Sequence, residues 1–320
     1  MLENIPGLKL RPNAPLSQYT RFGIGGPARL FVETASEPSF IAAVKALRES
    51  RETVAVIGDG TNLIVADEGF TGVVLRFTAA EIGSEGVCVR AEAGSELQAL
   101  VDFSIDRGLA GIHTMTGIPG SAGAAVYGNA GAYGNSISSY IRRVRFFDGD
   151  HVRVFSNDEC QFHYRESVFK KNKSWVIFST ELELVPGDAA ELRGRAIEIR
   201  EIRDRKYPPT MKCAGSIFKN LLFNELPGTV QDRVPQRVII EGKVPSAYFL
   251  EQVGAKGMTN GDIRVADYHA NLIYNAGQGT ARQVREVIQD LKHRVRDRFG
   301  LDLEEEVQYI GFRNGSGSIS

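Results

Sequence analysis

The sequence predicts a mixed fold of helices and strands, of the α+β or α/β class, in more than one domain. At 320 residues the chain exceeds the length that one hydrophobic core usually serves, so we expect two or three domains. Short runs rich in β-branched residues alternate with segments in which apolar residues recur three and four positions apart. The alternation shows no regular strand–helix–strand repeat.

Individual elements follow from the same two patterns. Strands are predicted where β-branched and aromatic residues cluster, at 54–58, 72–76, 87–94, 143–149, 175–184 and 305–312. Helices are predicted where apolar residues have helical spacing, at 38–50, 95–109, 246–254 and 280–300. Residues 188–206 are dense in good helix formers and predict a long connecting helix, which ends at Tyr207 because two prolines follow.

The composition argues against several functions. A net charge of -1 and a pI near 6.6 disfavour an extended surface for nucleic acid or anionic membranes. The first twenty residues lack the pattern of a signal peptide, and no apolar run is long enough to cross a bilayer, so we expect a cytoplasmic protein. Cys88, Cys160 and Cys213 are too few and too widely spaced for a disulfide framework or a zinc site, and we expect no metal.

The stretch VIGDGTNLIV places a Gly-Asp-Gly turn directly after a predicted strand. In such a turn, backbone N–H groups can approach an anion without a Cβ in the way. The spacing matches neither the dinucleotide fingerprint GxGxxG nor the phosphate loop GxxxxGK[ST]. Taken alone, this first glycine segment (residues 58–62) is more often an ordinary turn than a phosphate site.

The stretch GIPGSAGAAVYGNAGAYG, the second glycine segment (residues 117–134), is a stronger signal. It holds six glycines within eighteen residues, at positions 117, 120, 123, 128, 131 and 134. We expect them in extended or left-handed conformations, whose loss of chain entropy a bound ligand must offset. A flexible surface loop fits poorly because Ile118, Pro119 and Val126 are not surface-loop residues. The two segments together suggest a nucleotide cofactor whose pyrophosphate is held by main chain, and a flavin dinucleotide fits that size best.

Six motifs, in order, then identify a resemblance. RFGIGGPARLF, VIGDGTNLIV, GIPGSAGAAVYGNAGAYG, YRESVFK, AGSIFKN and EEEVQYIG resemble the motif series of the UDP-N-acetylenolpyruvoylglucosamine reductase family, over about residues 19–311. The resemblance implies an α+β fold: a two-subdomain FAD-binding region of the p-cresol methylhydroxylase and vanillyl-alcohol oxidase type, then a C-terminal α+β substrate domain. It implies a first FAD-binding subdomain at residues 1–76, joined by a C-terminal strand at 303–313, and a second FAD-binding subdomain at 77–187. A linker helix at 188–208, the substrate domain at 209–302 and a flexible tail at 314–320 follow.

The resemblance also implies a reaction, in bacterial peptidoglycan-precursor synthesis. Non-covalent FAD would take a hydride from NADPH and pass it from flavin N5 to C3 of UDP-N-acetylenolpyruvoylglucosamine, forming UDP-N-acetylmuramate. Ser216 matches the family's proton donor to C2, although from the residues alone it more readily caps or turns the chain after Gly215. We expect a monomer, with the sugar nucleotide and NADPH as its partners and neither nucleic acid nor membrane.

Two further catalytic residues come from the same resemblance. Arg165 in YRES matches an arginine whose planar fork can bind the substrate carboxylate and stabilise the enolate-like intermediate, its alternative being a salt bridge with Glu166. Glu306 matches the catalytic glutamate, and burial would let it donate a hydrogen bond. Its rivals are Glu304 and Glu305, and in a strand Glu304 and Glu306 point to the same side.

The binding residues are also implied by the resemblance. Lys206, Lys219, Asn220 and His269 match substrate contacts, each with a structural role as the alternative. The flavin contacts are expected in the two glycine segments, at Gly58, Asp59, Gly60, Thr61, Asn62, Ile118, Pro119, Gly120, Ser121, Gly123, Ala124, Asn129, Gly131 and Ala132.

Two departures from the family pattern, one branch assignment and two alternative functions complete the prediction. Leu221 stands where the family usually has proline, and Gln308 where it has a basic residue. Only 51 residues separate Arg165 from Ser216, too few for the inserted tyrosine-bearing lid of one branch, so we predict the lidless type II branch. Another FAD-dependent oxidase of the same fold, acting on an alcohol or hydroxy acid, and a non-enzymatic flavin-binding module are the alternative functions.

Overall fold

A computed structural model of the chain describes residues 2–312. The predicted tail at 314–320 lies outside this range. The chain divides into two compact units. Unit 1 contains residues 1–14, 28–59 and 71–208, and unit 2 contains residues 15–27, 60–70 and 209–320. Within the described range, no helix has the length and apolar character needed to cross a membrane.

Helices and strands are interspersed along the chain. The helices are α1 (Glu37–Glu49), α2 (Leu97–Asp106), α3 (Ala122–Tyr127), α4 (Val168–Lys171), α5 (Ala189–Lys206), α6 (Gly228–Gln231), α7 (Ser246–Gln252) and α8 (Ala281–Phe299). The strands are β1 (Lys9–Pro15), β2 (Pro27–Thr34), β3 (Val54–Val56), β4 (Leu63–Val65), β5 (Phe70–Phe77), β6 (Ile82–Glu85), β7 (Cys88–Glu92), β8 (Leu109–Ala110), β9 (Gly131–Ala132), β10 (Asn135–Ser136), β11 (Ile141–Phe147), β12 (Val152–Ser156), β13 (Val176–Glu183), β14 (Val185–Pro186), β15 (Cys213–Ser216), β16 (Leu221–Leu222), β17 (Lys243–Val244), β18 (Thr259–Asn260), β19 (Ile263–Ala266), β20 (His269–Asn275) and β21 (Gln308–Ile310).

Unit 1 is built on two sheets. One has the order β1-β2-β5-β3, with β3 parallel to β5, and the other is antiparallel with the order β12-β11-β13-β7-β6. The rings of Phe40, Phe77 and Phe178 meet edge to face, with centroids 5.0–6.0 Å apart. Burying such rings is the main stabilising contribution to the core. The buried carboxylate of Glu33 pairs with two arginines, Arg11 and Arg76.

Unit 2 contains the antiparallel sheet β15-β20-β19-β18. Helix α8 packs its apolar stripe inward and begins with a capping box between Thr280 and Gln283. The carboxylate of Asp67 accepts hydrogen bonds from the first two N–H groups of that helix, at 2.8 and 3.0 Å. Strand β21 pairs in parallel with β4, which brings the C-terminal strand beside the first glycine segment.

Most predicted elements are confirmed, with ends that differ by a few residues. The long helix predicted at 188–206 is α5. Asp188 caps its start by accepting a hydrogen bond from the Glu191 N–H, and the helix ends before Tyr207. The last strand is shorter than predicted, since β21 covers only Gln308–Ile310. Residues 304–306 instead pair with a different segment, described below.

The prediction of uniformly extended or left-handed glycines in the second glycine segment is wrong. Gly117, Gly120 and Gly134 have positive φ, whereas residues 122–127 form helix α3. The helix forms because alanines are good helix formers and Ser121 caps it, accepting a hydrogen bond from the Ala124 N–H at 3.3 Å. A short helix therefore interrupts the segment, and Gly123 lies inside it.

Candidate active site

Gly58, the first residue of the first glycine segment, lies against the second glycine segment within unit 1. A Cβ added to Gly58 would lie 3.1 Å from Ser121 Oγ and 3.4 Å from Ala124 Cβ. The turn at Gly58 directly follows β3, whose ladder is extended by the Ile57 N–H donating to Leu75 O at 3.0 Å. The first turn of α3 and the end of β3 thus pack closely, and a Cβ at Gly58 would require the Ser121 hydroxyl to shift slightly. This arrangement presents bare backbone, as a bound nucleotide requires.

The start of the second glycine segment is anchored to helix α2. Gly120 O accepts a hydrogen bond from the Leu97 N–H at 2.8 Å. Gln98, on the same helix, accepts from the Gly117 N–H at 2.7 Å and from Thr116 Oγ1 at 3.2 Å. Sequence reasoning missed Gln98 because it lies nineteen residues before its partner and belongs to no motif.

Asp59 lies in the middle of the first glycine segment. Burial raises its pKa above the ordinary value of 3.8, Arg76 opposes that rise, and Glu96 adds to it. A carboxyl group with a raised pKa donates a hydrogen bond over a wider pH range than an ordinary aspartate. Asp59 as a whole is exposed, so solvent limits the size of this rise.

Arg165 occupies a tight turn in unit 1. His163 and Glu166 exchange backbone hydrogen bonds of 3.0 and 3.1 Å across the turn, and Arg165 has a φ of 57°. Such a left-handed conformation is uncommon for a residue with a side chain and is often found at functional sites. The guanidinium group donates to Asn129 O at 3.4 Å and to Gly131 O at 3.1 Å. The turn therefore directs Arg165 onto the second glycine segment.

Neighbouring side chains reinforce this turn. The Lys170 ammonium donates to Arg165 O at 2.8 Å and to the Glu166 carboxylate at 2.9 Å. The carboxylate of Glu166, considered from sequence as a partner of Arg165, thus makes an ion pair with Lys170. Asn129 Nδ2 donates to His163 O at 2.8 Å, which ties the glycine segment back to the turn.

Ser216 and Glu306 are brought together within unit 2. Ser216 ends β15 and pairs with Leu272 of β20. The next three residues, the 217–219 segment, run beside the glutamate segment (residues 304–306). The Glu306 N–H donates to Ile217 O at 2.7 Å, and the Lys219 N–H donates to Glu304 O at 2.9 Å. The backbone of Glu306 therefore pairs with the residue that follows Ser216.

The three glutamates have different surroundings. Glu304 is largely exposed and pairs with the buried ammonium of Lys219. Glu305 accepts from Lys292 at 2.7 Å and from the Tyr309 hydroxyl. Burial, and then this contact with Glu305, raises the pKa of Tyr309. The carboxylate of Glu305 is thus engaged in a separate cluster.

Glu306 is held from a second direction. Its carbonyl accepts from Asn62 Nδ2 at 3.0 Å, and Asn62 O accepts from the Gln308 N–H at 2.9 Å. Asn62 belongs to the first glycine segment, so a predicted flavin contact and the predicted catalytic glutamate are neighbours. Gln308, one of the two departures from the family pattern, takes part in this backbone pairing.

The predicted substrate contacts fall in both units. Lys219 and Asn220 follow Ser216 directly, and Asn220 Oδ1 accepts from the Ser246 N–H at 3.4 Å. His269 is the first residue of β20. Lys206 ends α5 in unit 1, with its ammonium 5.2 Å from the centre of the Tyr207 ring. Leu221, where the family has proline, starts β16 and pairs with Val244 of β17.

Models of two known families match most of the chain between them. The family model described as "FAD binding domain" matches residues 28–153, and the model described as "UDP-N-acetylenolpyruvoylglucosamine reductase, C-terminal domain" matches residues 207–310. The protein is an FAD-dependent oxidoreductase, and the predicted α+β fold with an FAD-binding region is confirmed.

Comparison with individual proteins identifies the family. The chain is 60% identical to the UDP-N-acetylenolpyruvoylglucosamine reductase of Solibacter usitatus, over 97% of this chain and 99% of that protein. It is 34% identical to the reductase of Rubrobacter xylanophilus, over 93% and 94% of the two chains. The crystal structure of the reductase from Thermus caldophilus superposes with a TM-score of 0.72 at 27% identity, covering 94% of this chain and 98% of that one. The chain belongs to the UDP-N-acetylenolpyruvoylglucosamine reductase family.

Proposed function

We propose that the protein reduces UDP-N-acetylenolpyruvoylglucosamine to UDP-N-acetylmuramate, with NADPH as the hydride donor, in peptidoglycan-precursor synthesis. Family membership supports the substrate. The observation that supports the chemistry is the pairing of the 217–219 segment with the glutamate segment, because Glu306 pairs with the residue that follows Ser216.

The chain's own residues fit FAD. The first glycine segment and the residues from Ile118 to Ala132 would hold it, since Gly58 packs closely against Ser121 and Ala124 at the start of α3. FAD when bound supplies hydride transfer, from NADPH and then to C3 of the enolpyruvyl group. The remaining chemistry, which is binding the carboxylate and delivering a proton to C2, belongs to the protein.

Ser216 is the proposed proton donor to C2. A serine hydroxyl is a weak acid, so the oxygen that remains after transfer needs nearby positive charge and a solvent proton to restore it. Lys219, three residues further along the same segment, has a side chain only 8% exposed. Its ammonium, which also pairs with the Glu304 carboxylate, is the proposed source of that positive charge.

Arg165 is the proposed ligand of the substrate carboxylate. Its contacts with Asn129 O and Gly131 O set the plane of the guanidinium before substrate arrives. A planar guanidinium binds a carboxylate through two parallel N–H donors, and negative charge that spreads from C2 into the carboxylate strengthens these bonds. Arg165 would therefore stabilise the reaction intermediate more than the substrate.

Glu306 is the proposed hydrogen-bond donor to the negative charge that develops on the reaction intermediate. Its backbone is held on one side by Ile217 and on the other by Asn62, both in unit 2. In its protonated form this group donates a hydrogen bond to the intermediate. Lys206, Lys219, Asn220 and His269 are the proposed contacts of the sugar nucleotide, the lysines with its diphosphate.

The test separates the two half-reactions by stopped-flow absorbance under anaerobic conditions. Bleaching of the flavin band by NADPH follows the first, and recolouring by UDP-N-acetylenolpyruvoylglucosamine follows the second. We expect Ser216→Ala to bleach normally and to recolour at least about 10²-fold more slowly. Ser84→Ala, an exposed serine of β6, is the matched control and should match wild type in both phases.

Other outcomes would refute parts of the proposal. A wild-type protein that bleaches but is not recoloured by the sugar nucleotide has a different substrate. Bleaching of the flavin by an alcohol in place of NADPH, followed by recolouring with oxygen, would indicate an oxidase. Normal recolouring of Ser216→Ala would remove Ser216 as the proton donor.

A further inference from the structure

Asn271 lies in the middle of β20, buried to 3% exposure, and none of the proposed chemistry uses it. Its side-chain oxygen accepts a hydrogen bond from the Phe218 N–H at 2.9 Å. Its side-chain nitrogen donates to Phe218 O at 2.8 Å and to Ser246 Oγ at 2.8 Å. One amide thus binds both backbone groups of the residue two positions after Ser216.

The reason for this contact is an interruption of the ladder between β15 and β20. The register shifts between Cys213 and Ser216. The Ile217 N–H still reaches the main chain of β20, donating to Asn271 O at 3.1 Å, but Phe218 pairs with a side chain. A primary amide supplies one donor and one acceptor, so it can replace a peptide group at this point.

The opposite side of the 217–219 segment faces the glutamates. Backbone groups of successive residues in an extended chain point in alternate directions. Those of Phe218 point to Asn271, while Ile217 O and the Lys219 N–H pair with the glutamate segment. The amide of Asn271 therefore holds the 217–219 segment on the side opposite the glutamate segment. This segment directly follows Ser216 and pairs with Glu306.

We propose that Asn271 is a positioning residue for the reduction. Its amide, supported by the fully buried hydroxyl of Ser246, sets the position of Ser216 relative to Glu306. This inference rests on the proposed function, in which Ser216 delivers the proton to C2. Losing the amide releases Phe218, and a displacement near 1 Å of a reacting group lowers a rate by about 10²-fold.

The experiment uses the full-length protein with its FAD and compares Asn271→Ala with Asn275→Ala. Asn275 is a matched control, since it is also buried on β20 but accepts hydrogen bonds from the Gly277 and Gly279 N–H groups instead. The measurements are both half-reactions, the solvent deuterium isotope effect on the second, and thermal unfolding.

We expect Asn271→Ala to reduce flavin within about twofold of wild type and to reoxidise about 10²-fold more slowly, with a larger solvent isotope effect. Asn275→Ala should unfold at a lower temperature with both half-reactions unchanged. Ser246→Ala should slow reoxidation by about tenfold, because the Ser246 hydroxyl accepts from the Asn271 amide and itself donates to Phe218 O at 3.4 Å, but the main contact of the amide with the Phe218 N–H remains.

The outcomes separate the inference from the proposed function. If Ser216→Ala, measured in parallel, reoxidises slowly while Asn271→Ala reoxidises like wild type, the positioning role is wrong and the proposed function stands. Equal slowing in Asn271→Ala and Asn275→Ala would show a structural role only and would also overturn it. Normal reoxidation of Ser216→Ala overturns both. If Asn271→Ala does not fold, Ser246→Ala decides, and a wild-type rate in that variant refutes the inference.

Discussion

Replacing Gly123 by alanine tests the close packing that shapes the second glycine segment. The added Cβ would lie 3.1 Å from Ala93 O and 2.7 Å from Ala93 Cβ, the latter about 0.7 Å closer than the 3.4 Å at which ordinary contact begins. Overpacking of this kind costs about 1–3 kcal/mol, and the better helix propensity of alanine returns up to about 1 kcal/mol. We expect a net loss of about 1–2 kcal/mol in the free energy of unfolding.

The same displacement reaches the flavin site. Helix α3 must move away from Ala93, and its first turn carries Ser121 and Ala124, which face Gly58. We therefore expect the affinity for FAD to fall by about tenfold, which corresponds to about 1.4 kcal/mol. Thermal unfolding of the apoprotein measures the loss of stability, and titration of the apoprotein with FAD measures the loss of FAD affinity.

Gly128→Ala is the matched control in the same segment. A Cβ at Gly128 lies 3.6 Å from its nearest neighbour, Ala124 O, and its φ of -92° suits any residue. This variant should match wild type in both assays. Wild-type stability together with wild-type FAD affinity in Gly123→Ala would refute the argument that backbone contact at α3 shapes the site.

Three further predictions concern stability and its pH dependence. Glu33→Gln removes a buried carboxylate that pairs with two arginines, and we expect a loss of about 2 kcal/mol in urea unfolding; no loss would show that the pairs only offset desolvation. Asp67→Ala removes the acceptor for the first N–H groups of α8 and should lower the unfolding free energy by about 1 kcal/mol, with Asp297→Ala at an exposed site of that helix as the neutral control. The pKa of Asp59 is raised on folding, so its stabilising contribution is complete below pH 3.8 and is lost as the pH rises through the folded-state pKa. Asp59→Asn should accordingly be more stable than wild type at neutral pH, with a difference that shrinks toward acid pH, and a pH-independent difference would contradict this reasoning.

The glycine segments show how far the sequence could predict the site. Their composition indicated a backbone surface for a dinucleotide, because a run of glycines has few other uses. Local spacing did not reveal α3, since the glycines concealed the helix-forming alanines and the cap at Ser121. The approach of Gly58 to Ser121 joins residues more than sixty positions apart, so it depends on the tertiary fold and on no local pattern.

The three consecutive glutamates show a different limit. Alternation along a strand placed the side chains of Glu304 and Glu306 on one side, but it could not predict which residues those side chains contact. The coordinates distinguish them by their partners, since Lys219 pairs with Glu304 and Lys292 with Glu305. Asn271 was missed altogether, because a buried asparagine in an apolar strand resembles any polar residue that satisfies its own hydrogen bonds.

By itself the sequence determined the family, the mixed fold, most helices and strands, and the residue types available for the chemistry. These depend on local spacing and on motif order, which are properties of the chain read in one direction. Only the tertiary structure decided that Glu306 pairs with Ile217, the residue after Ser216, and that the Asn271 side chain binds the backbone of Phe218. Those contacts join residues 50 to 90 positions apart, and their geometry depends on packing that no local pattern encodes.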